Sequence, residues 1–173
     1  MPKRDSHCSA CGRAWPAEQP WPRTCAGCGL VSHRHPVPAV AVLLPVHDSV
    51  LLVRHAGGPF AGQLSLPGGG IELGEGWQQA AVRRLKVEGG VAVAREELTL
   101  YDVVACDDQL LVAGLGKARS AAGVPRFKPN HEVAELVLAS SMLEVARPAH
   151  AQLLKRWFGA KQGRLRRRTS QVE

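Results

Sequence analysis

Apolar, β-branched positions dominate residues 37–46 and 49–55, and a short polar break around His47 and Asp48 separates the two runs, which predicts a β-hairpin. A loop marked by three glycines and a proline occupies 56–65. The period then changes. Trp77, Ala81, Leu85 and Glu88 recur at helical spacing, and Gly89-Gly90 ends the pattern, so a helix is predicted over 76–88. Strand-like runs return at 98–106 and 109–115, joined by a tight turn at Asp107-Asp108. After a basic Gly/Pro-marked loop at 117–128, residues 132–138 read as a strand and 148–158 as a closing helix with Pro148 in its first turn. The order β, β, α, β, β, β, α predicts an α/β fold, a mixed sheet with a helix on each side.

The 173 residues allow one full domain and a small module, expected as a metal-held ribbon at 1–36, a main domain at 37–159 and a tail at 160–173. No run of about eighteen apolar residues is present. Residues 1–7 lack the apolar stretch of a secretion signal. A cytoplasmic protein without a membrane segment is therefore expected. The formal charge of +7 is local, because the last nineteen residues carry +6 of it, above all Arg164, Arg166, Arg167 and Arg168. That basic tail is expected to be disordered. It reads either as a solvated solubility tail or as a contact for nucleic acid or another polyanion.

Cysteine spacing adds the first chemistry. Cys8-x-x-Cys11 and Cys25-x-x-Cys28 stand thirteen residues apart, the spacing of a tetrathiolate zinc site with no open coordination position, hence a structural one. Two disulfides are the competing reading, and His7, His33 and His35 are further potential zinc ligands. Cys106, in an apolar run, reads as a buried core thiol.

The second piece of chemistry lies in residues 66–91, LPGGGIELGEGWQQAAVRRLKVEGGV. Positions 84, 87 and 88 share one helix face. Arg84 stands four residues before Glu88, within ion-pair reach, so the two are expected to pair. An ordinary amphipathic helix with solvated Arg83, Arg84 and Lys86 is the simpler alternative, but it leaves the preceding glycine turn unexplained.

The segment resembles the signature box of the Nudix superfamily, enzymes that cleave nucleoside diphosphates linked to another group. That box runs Gly, five residues, Glu, seven residues, Arg-Glu-apolar, one residue, Glu-Glu, one residue, Gly, apolar. Gly69, Glu75, Arg83, Leu85, Glu88, Gly90 and Val91 fall in register, whereas Arg84 and Val87 replace two of the helix glutamates. The resemblance implies a Nudix α/β/α sandwich. It also implies a Mg²⁺ or Mn²⁺ site built from the helix glutamates, here Glu88, with the Gly68 carbonyl and with Glu132 (or Glu135) from the late strand. By the same resemblance Gly68, Gly69, Glu72, Glu75 and Arg83 belong to the ligand-binding turn. A cysteine ribbon before such a domain resembles the NADH pyrophosphatase arrangement, and the stretch 30–38 resembles its junction.

Arg84 brings a fixed positive charge to a place built for a cation. The leading expectation is a Nudix-fold protein that binds a nucleotide-type small molecule and has lost or weakened its pyrophosphohydrolase activity. In that reading Glu88, Arg84 and Glu132 are the residues at the reacting centre. One alternative is an active hydrolase whose Mg²⁺ is shifted among Glu72, Glu75, Glu88 and Glu132. Another is a nucleic-acid or protein adaptor that uses the ribbon and tail. Phe60, Tyr101 and Phe127 are candidates for base stacking, and the sequence does not choose among them.

Overall fold

A computed structural model of the chain describes residues 5–106 and 108–169, of which 162–169 are described by their backbone alone. The chain divides into two compact units, Met1–Pro36 and Val37–Glu173. In the first, β1 (Arg23–Thr24) pairs antiparallel with β2 (Val31–Ser32). Little apolar surface is buried there, with Cys8 and Cys25 as its buried residues. The Arg23 guanidinium lies 4.4 Å from the Trp21 ring centroid and 6.0 Å from that of Trp15.

The second unit runs β3 (Val37–Leu43), β4 (Pro45–Val46), β5 (Ser49–His55), β6 (Leu64–Ser65), β7 (Gly68–Gly70), α1 (Trp77–Gly89), β8 (Leu98–Cys106), β9 (Gln109–Gly116), β10 (Val133–Ala139) and α2 (Pro148–Thr169). One sheet has the order β7-β3-β9-β8, with β3 and β9 parallel and the outer pairs antiparallel. The other has the order β10-β5-β4, with β6 also on β5, and is antiparallel throughout.

The predicted hairpin is only partly present. Its pairing is confined to Pro45 and Val46 against Val50 and Ser49. Most of the first run, β3, lies between β7 and β9 in the other sheet. The reason is burial on both faces. Residues 39–44 are all buried, as a central strand requires, and a two-stranded hairpin cannot supply partners on both edges. Alternation then divides the core: Ala39, Ala41 and Leu43 pack with Ala149, Leu153, Leu154 and Phe158 of α2. Val40 and Val42 pack with Ala80, Ala81 and Leu85 of α1.

Helix α1 is fixed at both ends by local chemistry. The Gly76 N–H donates to the Gln79 side chain at 2.7 Å. Gly90 takes a left-handed φ of 66°, and the Val91 N–H returns to the Leu85 carbonyl at 3.1 Å.

Helix α2 corrects two boundaries. It continues past Phe158 to Thr169, so 160–169 are helical rather than a disordered tail. The added segment holds four Arg with Ala160, Lys161, Gln162 and Leu165, all good helix formers, against two glycines, Gly159 and Gly163. Lys161 ties it down by an ion pair to Asp48 at 2.8 Å. Residues 170–173, the side chains of Arg164, Arg166, Arg167 and Arg168, and Asp107 of the expected tight turn lie outside what is described. Cys106 is half-buried rather than buried, packed at the margin of the core. Among the described residues no helix is long and apolar enough to cross a membrane.

Leu85 is fully buried where α1 meets the sheets. Leu85→Ala is expected to cost about 2–5 kcal/mol in urea unfolding, against less than about 0.5 kcal/mol for exposed Lys86→Ala.

Candidate functional site

The site is assembled from a glycine turn, one helix face and the entry to a strand. β7 runs antiparallel to β3, and a Cβ added at Gly68 would lie 2.1 Å from the Val40 carbonyl oxygen. One on Gly69 would lie 2.8 Å from Arg84 Nε. Both glycines are therefore required by close approach to this chain's own groups.

Gly68 is held at both of its polar groups. Its N–H donates to Glu88 Oε2 at 2.8 Å, and its carbonyl accepts from Arg84 Nε at 2.9 Å. Arg84 Nη2 also donates to Glu88 Oε1 and to Glu132 Oε2, each at 2.5 Å. The pairing of Arg84 with Glu88 expected from their spacing is thus present, and Glu132 joins it from the start of β10. Glu88 is nearly inaccessible, with 4% of its side chain exposed, against 16% for Arg84 and 32% for Glu132. Burial pushes the Glu88 carboxyl up, while Arg84 and the Gly68 N–H oppose that shift. The hydrogen bond from Arg84 holds Glu132 below the usual carboxylate range.

Asn130, which the sequence did not single out, positions Glu132. Its Oδ1 accepts the N–H groups of Glu132 and Val133 at 2.9 and 2.8 Å. Its Nδ2 donates to the Val87 carbonyl at 3.1 Å, linking β10 to α1. Glu135 is elsewhere, paired with Arg54 at 2.7 Å. Val87 is exposed and offers no oxygen from its side chain.

Arg83 makes a separate cluster. It forms two hydrogen bonds to Glu75, at 2.8 and 2.7 Å, and one to the Gly70 carbonyl at 3.0 Å, with Glu72 3.2 Å away. Glu75 is held down at about 2 by the Arg83 bonds and by the Glu72 N–H.

A hard divalent cation needs oxygen ligands. The Gly68 carbonyl, Glu88 and Glu132 are oxygen donors, but one guanidinium already engages all of them. A dication added here would meet that fixed charge at contact distance. The residues as arranged do not fit Mg²⁺ or Mn²⁺.

The cysteine cluster does fit its metal. The Sγ atoms of Cys8, Cys11, Cys25 and Cys28 all lie within 4.8 Å of one another. A tetrahedron with Zn–S bonds of about 2.3 Å has edges of about 3.8 Å. The pairs Cys11–Cys25 at 3.5 Å and Cys8–Cys28 at 3.7 Å match that edge and are not disulfides, whose sulfurs lie about 2.05 Å apart. The two knuckles repeat: the Gly12 and Gly29 N–H groups return to the carbonyls of Cys8 and Cys25 at 2.9 and 2.8 Å. N–H groups of Gly27 and Cys28 lower the Cys25 thiol to about 6. His7 bonds to Ser6, and His33 stacks on His35; among the described residues none of the three joins the cluster.

Beside the glycine turn lies a cavity of about 560 Å³, lined by Gly68–Gly70 and Glu88 and also by His55, Phe60, Arg147 and His150. Of the stacking candidates, Phe60 lines it, whereas Tyr101 lies under Arg156 and Phe127 is not a lining residue. His55, Arg147 and His150 carried no motif in the sequence. They come from a strand end and the start of a helix, and only folding brings them together.

The Glu75 shift predicts an acid response. A carboxyl held near 2 rather than the ordinary 4.5 adds stability above its unfolded value, which is lost as pH falls from about 4.5 towards about 2. Thermal unfolding followed across that window should show the loss, and Glu75→Gln should reduce its slope.

The NUDIX domain profile matches residues 34–158. Over 57 residues the chain is 39% identical to an ADP-ribose pyrophosphatase of Methanocaldococcus jannaschii, a match covering 33% of this chain and 34% of that relative, so it spans about a third of that relative's length. A NUDIX hydrolase from Nitrosomonas europaea superposes with a TM-score of 0.71 at 23% identity, over 91% of this chain and 93% of the other. The NUDIX domain of Shewanella oneidensis NrtR, complexed with ADP ribose, superposes with a TM-score of 0.50 at 22% identity, over 60% of this chain and 72% of the other. With its mixed fold, its glycine turn and helix in register and a matching profile across most of its length, the chain belongs to the NUDIX domain family.

Proposed function

We propose that this chain binds a nucleoside-diphosphate-linked molecule of the ADP-ribose type and hydrolyses it slowly or not at all. The observation that carries this reading is the Arg84 guanidinium, bonded at once to the Gly68 carbonyl, Glu88 and Glu132. A single positive charge there is permanent and cannot accept water or phosphate oxygens as ligands, as a divalent ion does. The adjoining cavity is of nucleotide size. The ADP-ribose ligand of the Shewanella domain and the name of the Methanocaldococcus relative support the choice of ligand class.

Calorimetry with ADP-ribose should show binding that is unchanged by added Mg²⁺. Release of mononucleotide from ADP-ribose at an enzyme-like rate, lost on Glu88→Gln, would refute the proposal. Replacing Arg84 and Val87 together by Glu should create Mg²⁺-dependent hydrolysis, read as AMP release at least tenfold above the parent chain. An inert double variant would mean that more than one helix face separates this chain from an active hydrolase.

For the first unit we propose a structural Zn²⁺ held by Cys8, Cys11, Cys25 and Cys28, in the ribbon arrangement that resembles NADH pyrophosphatase. Free thiols in this geometry suit a reducing, cytoplasmic compartment. A unit of this size gains most of its stability from the metal. Elemental analysis should find one zinc per chain, lost in Cys25→Ser. Zinc removal should alter tryptophan fluorescence, because Trp15 and Trp21 belong to this unit.

A further inference from the structure

Arg84 does not line the cavity, whereas Glu88 does. Arg84 Nε and Nη2 are taken up by Gly68, Glu88 and Glu132, and with both carboxylates ionised the cluster has a formal net charge of −1, so the attraction it offers a phosphate is weakened. The cationic residue among the described lining residues is Arg147, immediately before α2. The other lining residues with a formal charge, Glu88 and Asp108, are acidic.

Among the described residues no acid pairs with Arg147, and an aromatic ring lies against it. Its guanidinium carbon lies 4.6 Å from the centre of the Phe60 ring, and that ring is tilted against His55 with centroids 6.0 Å apart. Its hydrogen bond to Gln109 Oε1 is long, at 3.4 Å. Beyond the bond from Nη1 to Gln109, no hydrogen bond from this guanidinium to a described residue is made, which leaves donors for a partner in the cavity.

A second donor stands one helical turn on. His150 is 5% exposed, and its Nδ1 accepts the Leu66 N–H at 3.2 Å. A ring nitrogen that accepts a backbone N–H carries no proton, so the proton of the neutral imidazole is on Nε2. Burial, with Arg147 and His55 adding to it, holds this ring at about 3, which keeps it neutral. Its Nε2–H has no acceptor among the described residues, and the ring lines the cavity. Arg147, immediately before α2, and His150, in its first turn, both line the cavity. A guanidinium and a neutral imidazole N–H lining one cavity are two donors, which is the chemistry that recognises an anion.

We infer that Arg147, with the His150 Nε2–H beside it, binds the phosphoryl group of a nucleotide in this cavity without a divalent cation. The inference rests on the reading of the cavity as a nucleotide site. It assigns phosphate recognition to the start of α2 rather than to the helix face that carries Arg84. Phe60, under Arg147, sets the plane of the guanidinium and acts as a positioning residue.

Calorimetry on the full chain in magnesium-free buffer, with adenosine, AMP and ADP-ribose as probes, tests it. The parent chain should bind AMP about tenfold or more tighter than adenosine, as a charge-assisted contact predicts. Arg147→Gln should bring the two to equal affinity while adenosine affinity, the control for folding, is retained. Arg147→Lys should keep part of the preference, and His150→Phe should reduce it several-fold. Arg156→Gln, on the same helix but outside the cavity lining, should leave it intact. A preference for AMP that survives Arg147→Gln, or equal binding of AMP and adenosine by the parent chain, overturns this inference alone. Failure of the parent chain to bind any of the three overturns the nucleotide-site reading as well.

Discussion

One guanidinium organises the centre of this domain. Arg84 draws together a carbonyl from the glycine turn, a buried carboxylate on its own helix and a carboxylate from the start of β10. Glu88 is buried, and a buried carboxylate requires a counter-charge and hydrogen bonds. Arg84 supplies the charge, and the Gly68 N–H supplies another bond. In a metal-dependent relative a dication would meet that need. Here a side chain of the protein meets it, so turn, helix and strand are cross-linked in every molecule whether or not a metal is present.

This arrangement changes how charge is distributed around the cavity. A bound dication leaves coordination positions open to a substrate. The Arg84 guanidinium has Nε and Nη2 taken up by a carbonyl and two carboxylates, and the cluster has a formal net charge of −1. Attraction for an anion then has to come from another part of the wall. Arg147 lies there against the Phe60 ring, and among the described residues it has no acidic partner. On the proposed reading, binding belongs to the wall that carries Arg147, away from the Arg84 cluster.

Some features were written in local sequence. The register of the glycine turn and α1, the Cys-x-x-Cys pairs, the helix stop at Gly89-Gly90 and the Arg84–Glu88 pair all depend on neighbours within a few residues. Helical geometry fixes which side chains meet at i and i+4, so the cancelled charge on the box helix was legible before any tertiary contact was known. The longer strands were legible too, whereas the short β1, β2, β6 and β7 were not, since two or three residues carry no period. Strand partners were not: an unbroken apolar run such as 37–46 shows burial on both faces but not which strands lie beside it, and β3 and β4 entered different sheets. Charge density at 159–169 predicts a disordered tail, whereas the segment continues α2, in keeping with the helix propensity of its four arginines.

The sequence by itself determined the family signature, the paired Cys-x-x-Cys spacing and the replacement of two acidic side chains of the box, because each is set by spacing along a chain of fixed geometry. Only the tertiary structure decided that Glu132 rather than Glu135 completes the Arg84 cluster, that Asn130 fixes it, and that His55, Phe60, Arg147 and His150 line one cavity. Those residues are distant in sequence, and their meeting depends on how two sheets and two helices pack. Side-chain periodicity along a single segment carries no record of that packing.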